Sequence, residues 1–145
     1  MTDLTSQYLP LLRSHRLPGI DLGDGFVYPN YTGHSILNLP DSICAWLGVP
    51  GIGNRPLEAS LHSLLEGQVR RVIVLLVDAL SLNRLQRWMA DSTAPVWDGL
   101  AQNGTLAPLT SITPSTTSSA LTSLWTGRSP AEHGIPGYEI WLREY

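Results

Sequence analysis

The sequence predicts an α/β fold, a mostly parallel sheet with flanking helices, preceded by an irregular N-terminal arm. Three observations carry this. Arg71-Val72-Ile73-Val74-Leu75-Leu76-Val77-Asp78 is an unbroken apolar run, rich in β-branched residues and ended by a carboxylate; such a run reads as a strand buried on both faces, and those belong to parallel sheets. Segments with helical spacing follow it, separated by a second strand-like stretch, and strand, helix, strand, helix places helices on the faces of a sheet. Before it, Pro10, Pro18, Pro29, Pro40, Pro50 and Pro56 alternate with glycines, punctuation too frequent for long elements.

Taken in order, residues 1–68 are expected to be an extended arm with short helices. One helix starts near Asp41, whose carboxylate is placed to cap Ile43 and Cys44, and stops at Gly48 before Pro50. Another runs from Pro56 through Leu57, Leu61, Leu64 and Leu65 to Gly67, with Pro in its first turn. Residues 69–145 then form the α/β part. After the run ending at Asp78, Leu82, Leu85, Trp88 and Met89 share one helical face between Ser81 and Met89. Thr93 and Pro95 open a second helix that reaches the Asn103-Gly104 stop. Thr105 to Ile112 alternates as the next strand, and a helix is expected from about Ser118 to Thr126, closed by Gly127.

Composition narrows the function classes. A chain of 145 residues with 14% charged residues and a formal charge of -3 reads as one soluble globular domain. It lacks the clustered Lys and Arg that phosphate-backbone contacts require, so no nucleic-acid surface is expected. Cys44 has no second cysteine to pair with, and beside Ile43, Ala45 and Trp46 it reads as a small buried apolar residue. Neither a signal peptide nor an apolar run of membrane-spanning length is apparent, which favours the cytoplasm and no membrane partner. On that ground the glycosylation pattern Asn30-Tyr31-Thr32 is read as chance.

Chemistry concentrates at two strand ends. Ligands of open α/β sheets bind beyond the carboxyl ends of the strands, where Asp78 is expected. A carboxylate closing a buried strand needs solvent, hydrogen bonds or a cation; many folds use one simply to hold a turn. Thr113-Pro114-Ser115-Thr116-Thr117-Ser118-Ser119 is expected at the same edge, immediately before a helix. Unpaired N–H groups there suit a phosphoryl group, and a Thr hydroxyl becomes a useful nucleophile when a metal lowers its pKa. The alternative is that these hydroxyls are ordinary N-caps.

Thr117 is followed ten residues later by Gly127, within Thr117-Ser118-Ser119-Ala120-Leu121-Thr122-Ser123-Leu124-Trp125-Thr126-Gly127, and then by Arg128-Ser129-Pro130-Ala131-Glu132-His133-Gly134-Ile135. Together with Val77-Asp78 and Pro114 to Thr117, this resembles the alkaline phosphatase superfamily, and most closely its type I phosphodiesterase/nucleotide pyrophosphatase branch, over about residues 70 to 140. The resemblance implies an alkaline-phosphatase-like sheet and two divalent metal ions, usually zinc (Zn2+). Asp78 and Thr117 would ligate the same ion, and Thr117 would be the catalytic nucleophile that forms a phosphothreonine from a small-molecule phosphate mono- or diester. The branch's remaining Asp and His ligands come later in a longer chain. The resemblance therefore implies that residues 69–145 are the N-terminal part of a truncated catalytic domain, a fragment active only in a longer form.

One position departs from the branch. Twenty-one residues after the nucleophile, where an Asn commonly donates to a phosphoryl oxygen, stands Tyr138, a phenol of different reach offered as a substrate-binding residue. His133, in the Pro-x-x-His-Gly segment, is expected to have a structural hydrogen-bonding role. His15, His34 and His62 lie outside the match. Sulfatase chemistry is disfavoured because Ser119 and Leu121 stand where Pro and Arg would follow the nucleophile, and a haloacid-dehalogenase reading fails at Leu80, which replaces a second Asp. A non-catalytic α/β fragment, kept as a binding or scaffold module, is the alternative from another class. Leaving group and oligomeric state are left open by the sequence.

Overall fold

The computed structural model describes residues 2–65 and 69–141. Two compact units emerge: residues up to Leu11 with Ile73–Pro108, and Leu12–Val72 with the chain from Leu109 onward. In the first, β1 (Thr2–Asp3) and β2 (Thr105–Leu106) pair in parallel, Thr2 opposite Thr105 and Asp3 opposite Leu106. The α/β class is therefore present in its smallest form, a two-stranded parallel sheet accompanied by helices.

Helix α1 (Thr5–Ser14) follows β1, and the Asp3 carboxylate accepts from the Thr5 N–H at 2.8 Å. Proline punctuation argues against a helix of this length, yet Pro10 lies inside it. An interior Pro costs about 3 kcal/mol. Tyr8 and Leu12, four residues apart and both buried, offset that, since burying a large side chain contributes about 1.5–3 kcal/mol. Further along, α4 (Leu82–Ala90) is capped by Ser81, whose hydroxyl accepts from the Arg84 N–H, and α5 (Pro95–Gln102) begins with its Pro. Leu85 and Met89 of α4, Trp97, Leu100 and Ala101 of α5, and Leu106 of β2 help line an apolar pocket of about 180 Å³. These two helices have the positions and the apolar faces that the periodicity predicts.

The expected strand before Asp78 is absent. Residues 71–77 have no regular structure, Ile73 is 93% exposed and Leu75 76% exposed. A two-faced apolar strand is stable only between neighbouring strands and under helices. Among the described residues no strand is long enough to flank it, so the run is left open. The second expected strand shrinks likewise: of Thr105 to Ile112, only Thr105–Leu106 forms β2, and Thr110 makes a single parallel bridge to Ser35.

The second unit is organised around α6 (Thr117–Thr126), which packs on a 3-10 turn (Ile36–Asn38), on α2 (Leu39–Trp46) and on α7 (Pro130–His133). Ser119 and Ser123, one turn apart and fully buried, present a narrow face of α6. Residues of the proline-rich N-terminal stretch thus supply much of this unit's core: Tyr28, Leu37, Leu57 and Leu61, joined by Ile112. Buried polar groups lock it. Ser35 and Asn38 form a capping box, and the Asn38 amide nitrogen donates to the carbonyls of Tyr31 and Arg55 at 3.0 and 3.3 Å. With both N–H bonds and its oxygen engaged, Asn38 is satisfied in a site closed to water.

Asp41 does not cap α2. That helix starts two residues earlier, and the carboxylate accepts instead from the N–H groups of Ile52 and Gly53, both at 2.8 Å. The 8%-exposed carboxylate thereby folds the 51–53 loop back over α2, a charge-assisted arrangement worth more than a solvent-exposed cap. Cys44 is half-buried. The helix expected from Pro56 is shorter than its apolar face: α3 (Ala59–His62), with Glu58 accepting from Ser60 as its cap, passes into a 3-10 turn (Ser63–Leu65). Its expected stop at Gly67 lies outside the described residues.

Candidate active site

Helix α6 begins at Thr117 with Thr116 as N-cap in an extended conformation (φ -74, ψ 151), but the Thr116 side chain does not cap the helix. The Thr116 hydroxyl donates to the Pro136 carbonyl at 3.3 Å instead. This disfavours the N-cap explanation of the Ser/Thr cluster at this position. First-turn N–H groups lack intrahelical partners and attract anions, and here the Thr116 hydroxyl does not compete for them. Ser118 and Ser119 carry buried hydroxyl oxygens with no hydrogen-bond partner, an arrangement that costs about 1–3 kcal/mol per group.

Thr117 is half-buried, and its Oγ1 accepts a hydrogen bond from the Tyr138 hydroxyl at 3.1 Å. These two of the three expected site residues are in contact. The contact is to the Thr oxygen. Asp78 belongs to the first unit; it is exposed, and its Oδ1 accepts from the N–H of Ala79 at 2.9 Å. Ala79 has φ 57, a left-handed conformation unfavourable for a residue with a Cβ. Strain of this kind collects where function over-determines the backbone.

Several residues that pattern reading passed over shape the α6 neighbourhood. The Tyr31 hydroxyl accepts from the Thr113 N–H at 3.0 Å; burial raises the phenol's pKa and this hydrogen bond opposes the rise. Beyond the helix, Gly127 takes φ 64 and ends α6. A Cβ on Gly127 would lie 2.7 Å from the Gly53 Cα, so the two backbones touch. Ser129 and Glu132 form a second capping box at α7, and Asn54 also donates to both oxygens of Glu132, at 2.8 and 3.0 Å. The Ser129 hydroxyl, then Asn54, hold the Glu132 carboxyl down to about 2. Ser129-x-x-Glu132 before a helix is legible as a capping box; the partners Asn54, Gly53 and Tyr31 carry no sequence signal.

His133 shows how the segment after α6 is held. Its Nδ1 accepts from the Ile135 N–H at 3.1 Å, which leaves Nε2 as the donor toward the Ser123 hydroxyl at 3.0 Å. It is a hydrogen-bonding strut between α6 and the following turn. A cleft of about 390 Å³ opens nearby among Tyr31, Leu37, Arg55, Ser129 and Glu132.

A divalent ion held by protein usually takes three or more side-chain ligands. Among the described residues no three His, Cys, Asp or Glu converge. Nor is any described helix long and apolar enough to cross a membrane.

The family model for type I phosphodiesterase / nucleotide pyrophosphatase matches residues 72–145. No curated protein and no solved structure matches the chain. The matched stretch runs from the apolar run through Asp78, Thr117 and α6 to Tyr138 and covers about half of the 145 residues, and by it the chain belongs to the type I phosphodiesterase/nucleotide pyrophosphatase family, a family of hydrolases.

Proposed function

We propose that this chain carries the nucleophile end of a phosphate-ester hydrolase site with an alkaline-phosphatase-like arrangement, acting on small-molecule phosphate mono- or diesters. Thr117 is the nucleophile. Its oxygen bonds to phosphorus as the ester oxygen departs with the bonding pair, and water then cleaves the phosphothreonine, restoring the hydroxyl and releasing phosphate or a monoester. The observation that supports this most is the start of α6: Thr117 opens a first turn that the Thr116 hydroxyl leaves uncapped, and the amides of a helix start suit phosphoryl oxygens. Family membership supports the hydrolytic class.

Asp78 and Thr117 are proposed as ligands of one of two divalent ions, zinc being the candidate. When bound, the ions would supply charge stabilisation to the attacking and leaving oxygens. Among the described residues no three His, Cys, Asp or Glu converge, so such a centre would need further donors. That shortfall also favours a second reading, in which the chain alone is a non-catalytic scaffold module.

Hydrolysis of p-nitrophenyl phosphate and bis(p-nitrophenyl) phosphate, with and without zinc, tests both. Marginal turnover by the 145-residue chain is expected, abolished in Thr117→Ala, with phosphate found on Thr117 by mass spectrometry after acid quench. Robust turnover that survives Thr117→Ala would overturn the nucleophile assignment. Complete inactivity with no phosphothreonine and no zinc binding by calorimetry would leave the scaffold reading.

A further inference from the structure

Tyr138 has no packing reason to be aromatic: it is 75% exposed, and an exposed ring gains little from burial. What it does have is a defined partner, Thr117 Oγ1. The other two threonines of α6 behave differently. Thr122 and Thr126 spend their hydroxyls on the carbonyls one turn back, Ser118 at 2.8 Å and Thr122 at 2.7 Å, a common way for helical Thr to settle its rotamer. Thr117 stands at the first helical position, where the chain one turn earlier is not helical. Its oxygen is met from outside the helix.

The segment that brings Tyr138 there is tied down at two points. The Thr116 hydroxyl donates to the Pro136 carbonyl, and the Ile135 N–H donates to His133, itself bonded to Ser123 of α6. Adjacent residues 116 and 117 thus hold 136 and 138, and the phenol reaches the nucleophile along a restrained path. A hydrogen bond donated to a hydroxyl oxygen strengthens when that oxygen gains negative charge. Tyr138 is therefore matched to the attacking state of Thr117 more closely than to its resting state, which is the differential that accelerates a reaction.

We propose that Tyr138 is a positioning residue for the nucleophile: its phenol O–H, anchored through the Thr116–Pro136 tether, holds the Thr117 side chain in one rotamer and supports the charge that grows on Oγ1. This rests on the proposed function for the role of Thr117. It adds a contact with the nucleophile to the expected contact of residue 138 with a substrate oxygen.

The test uses the 145-residue chain with isotopic labels. Three-bond couplings to the Thr117 methyl carbon report its χ1 populations without any turnover. One dominant rotamer is expected in the wild type and a mixture in Tyr138→Phe, with the backbone spectrum elsewhere unchanged; incorporation of 3-fluorotyrosine at 138, which keeps the hydroxyl, should keep the single rotamer. The same populations in wild type and Tyr138→Phe would overturn the proposal. Where Thr117-dependent hydrolysis is measured, Tyr138→Phe should lower kcat roughly tenfold or more with KM little changed, the scale of one hydrogen bond to a charged group; a change in KM alone would also overturn it. Failure of the hydrolytic reading appears separately, as activity indifferent to Thr117→Ala, while the rotamer result stands on its own.

Discussion

At the scale of single residues, the two glycines that end α6 and α7 make a controlled comparison. Gly127 and Gly134 both adopt left-handed φ, 64 and 73, but a Cβ on Gly134 would meet nothing within 4 Å, whereas one on Gly127 would meet Gly53 at 2.7 Å. Gly134→Ala should therefore cost only the left-handed penalty, about 1–2 kcal/mol. Gly127→Ala should cost clearly more, about 3 kcal/mol or above, because backbone must also move. Urea titration of both variants measures the difference; equal losses would deny the close approach. Glu132 gives a pH prediction. Its folded carboxyl titrates at about 2 against an ordinary 4.5, so the folded state binds its proton less readily than the unfolded chain. The stability it contributes is present above about 4.5 and is lost as pH falls toward 2. Since the group is exposed, the effect is modest. Glu132→Gln should flatten the fall in urea midpoint across that window, and an unchanged slope would mean that the Ser129 and Asn54 contacts are not maintained in solution.

At the scale of elements, helices were easier to read than strands, for a physical reason. A helix satisfies its backbone within its own sequence, so Ser81 before α4, Pro95 opening α5 and Gly127 closing α6 could be placed from local residues alone. A strand is completed by partners elsewhere, and the run before Asp78 has the composition of a buried strand without, among the described residues, the sheet to bury it. The site divides in the same way. Thr117 at a helix start and the Ser129-x-x-Glu132 box are local patterns, while Gly53 against Gly127, Asn54 on Glu132 and Tyr31 on Thr113 are tertiary meetings that no spacing announces. Asp41 misled because an acidic residue in a first turn usually serves its own helix, and here it serves the 51–53 loop. The open run yields a direct prediction. Leu75→Lys, at a side chain 76% exposed, should change stability by no more than about 0.5 kcal/mol, as surface substitutions do. A loss of several kcal/mol by thermal melting would reveal that the run is buried in solution.

At the scale of the whole molecule, membership in the phosphodiesterase/nucleotide pyrophosphatase family rests on the second half of the sequence, yet that half does not stand alone. Segments from before residue 73 and after residue 108 make one unit together, and the stretch between them belongs with the other. Asp41→Ala tests this interdependence: it should strip the Ile52 and Gly53 amides of their acceptor and destabilise by about 1–3 kcal/mol, and hydrogen exchange should quicken in the 51–53 loop and also at Gly127, which touches it. Quickening confined to the loop would show that the two segments are uncoupled.

The ties that close the second unit join residues far apart in the chain: Asn30 with Thr110, Tyr31 with Thr113 and Asn54 with Glu132, separated by 80, 82 and 78 positions. During synthesis, at about 5–20 residues per second, the early segment must wait on the order of ten seconds for its counterparts to leave the ribosome. Throughout that interval Tyr28, Leu37 and Leu57 have no completed core to enter, so the newborn polypeptide passes through a period in which apolar surface is open to wrong company.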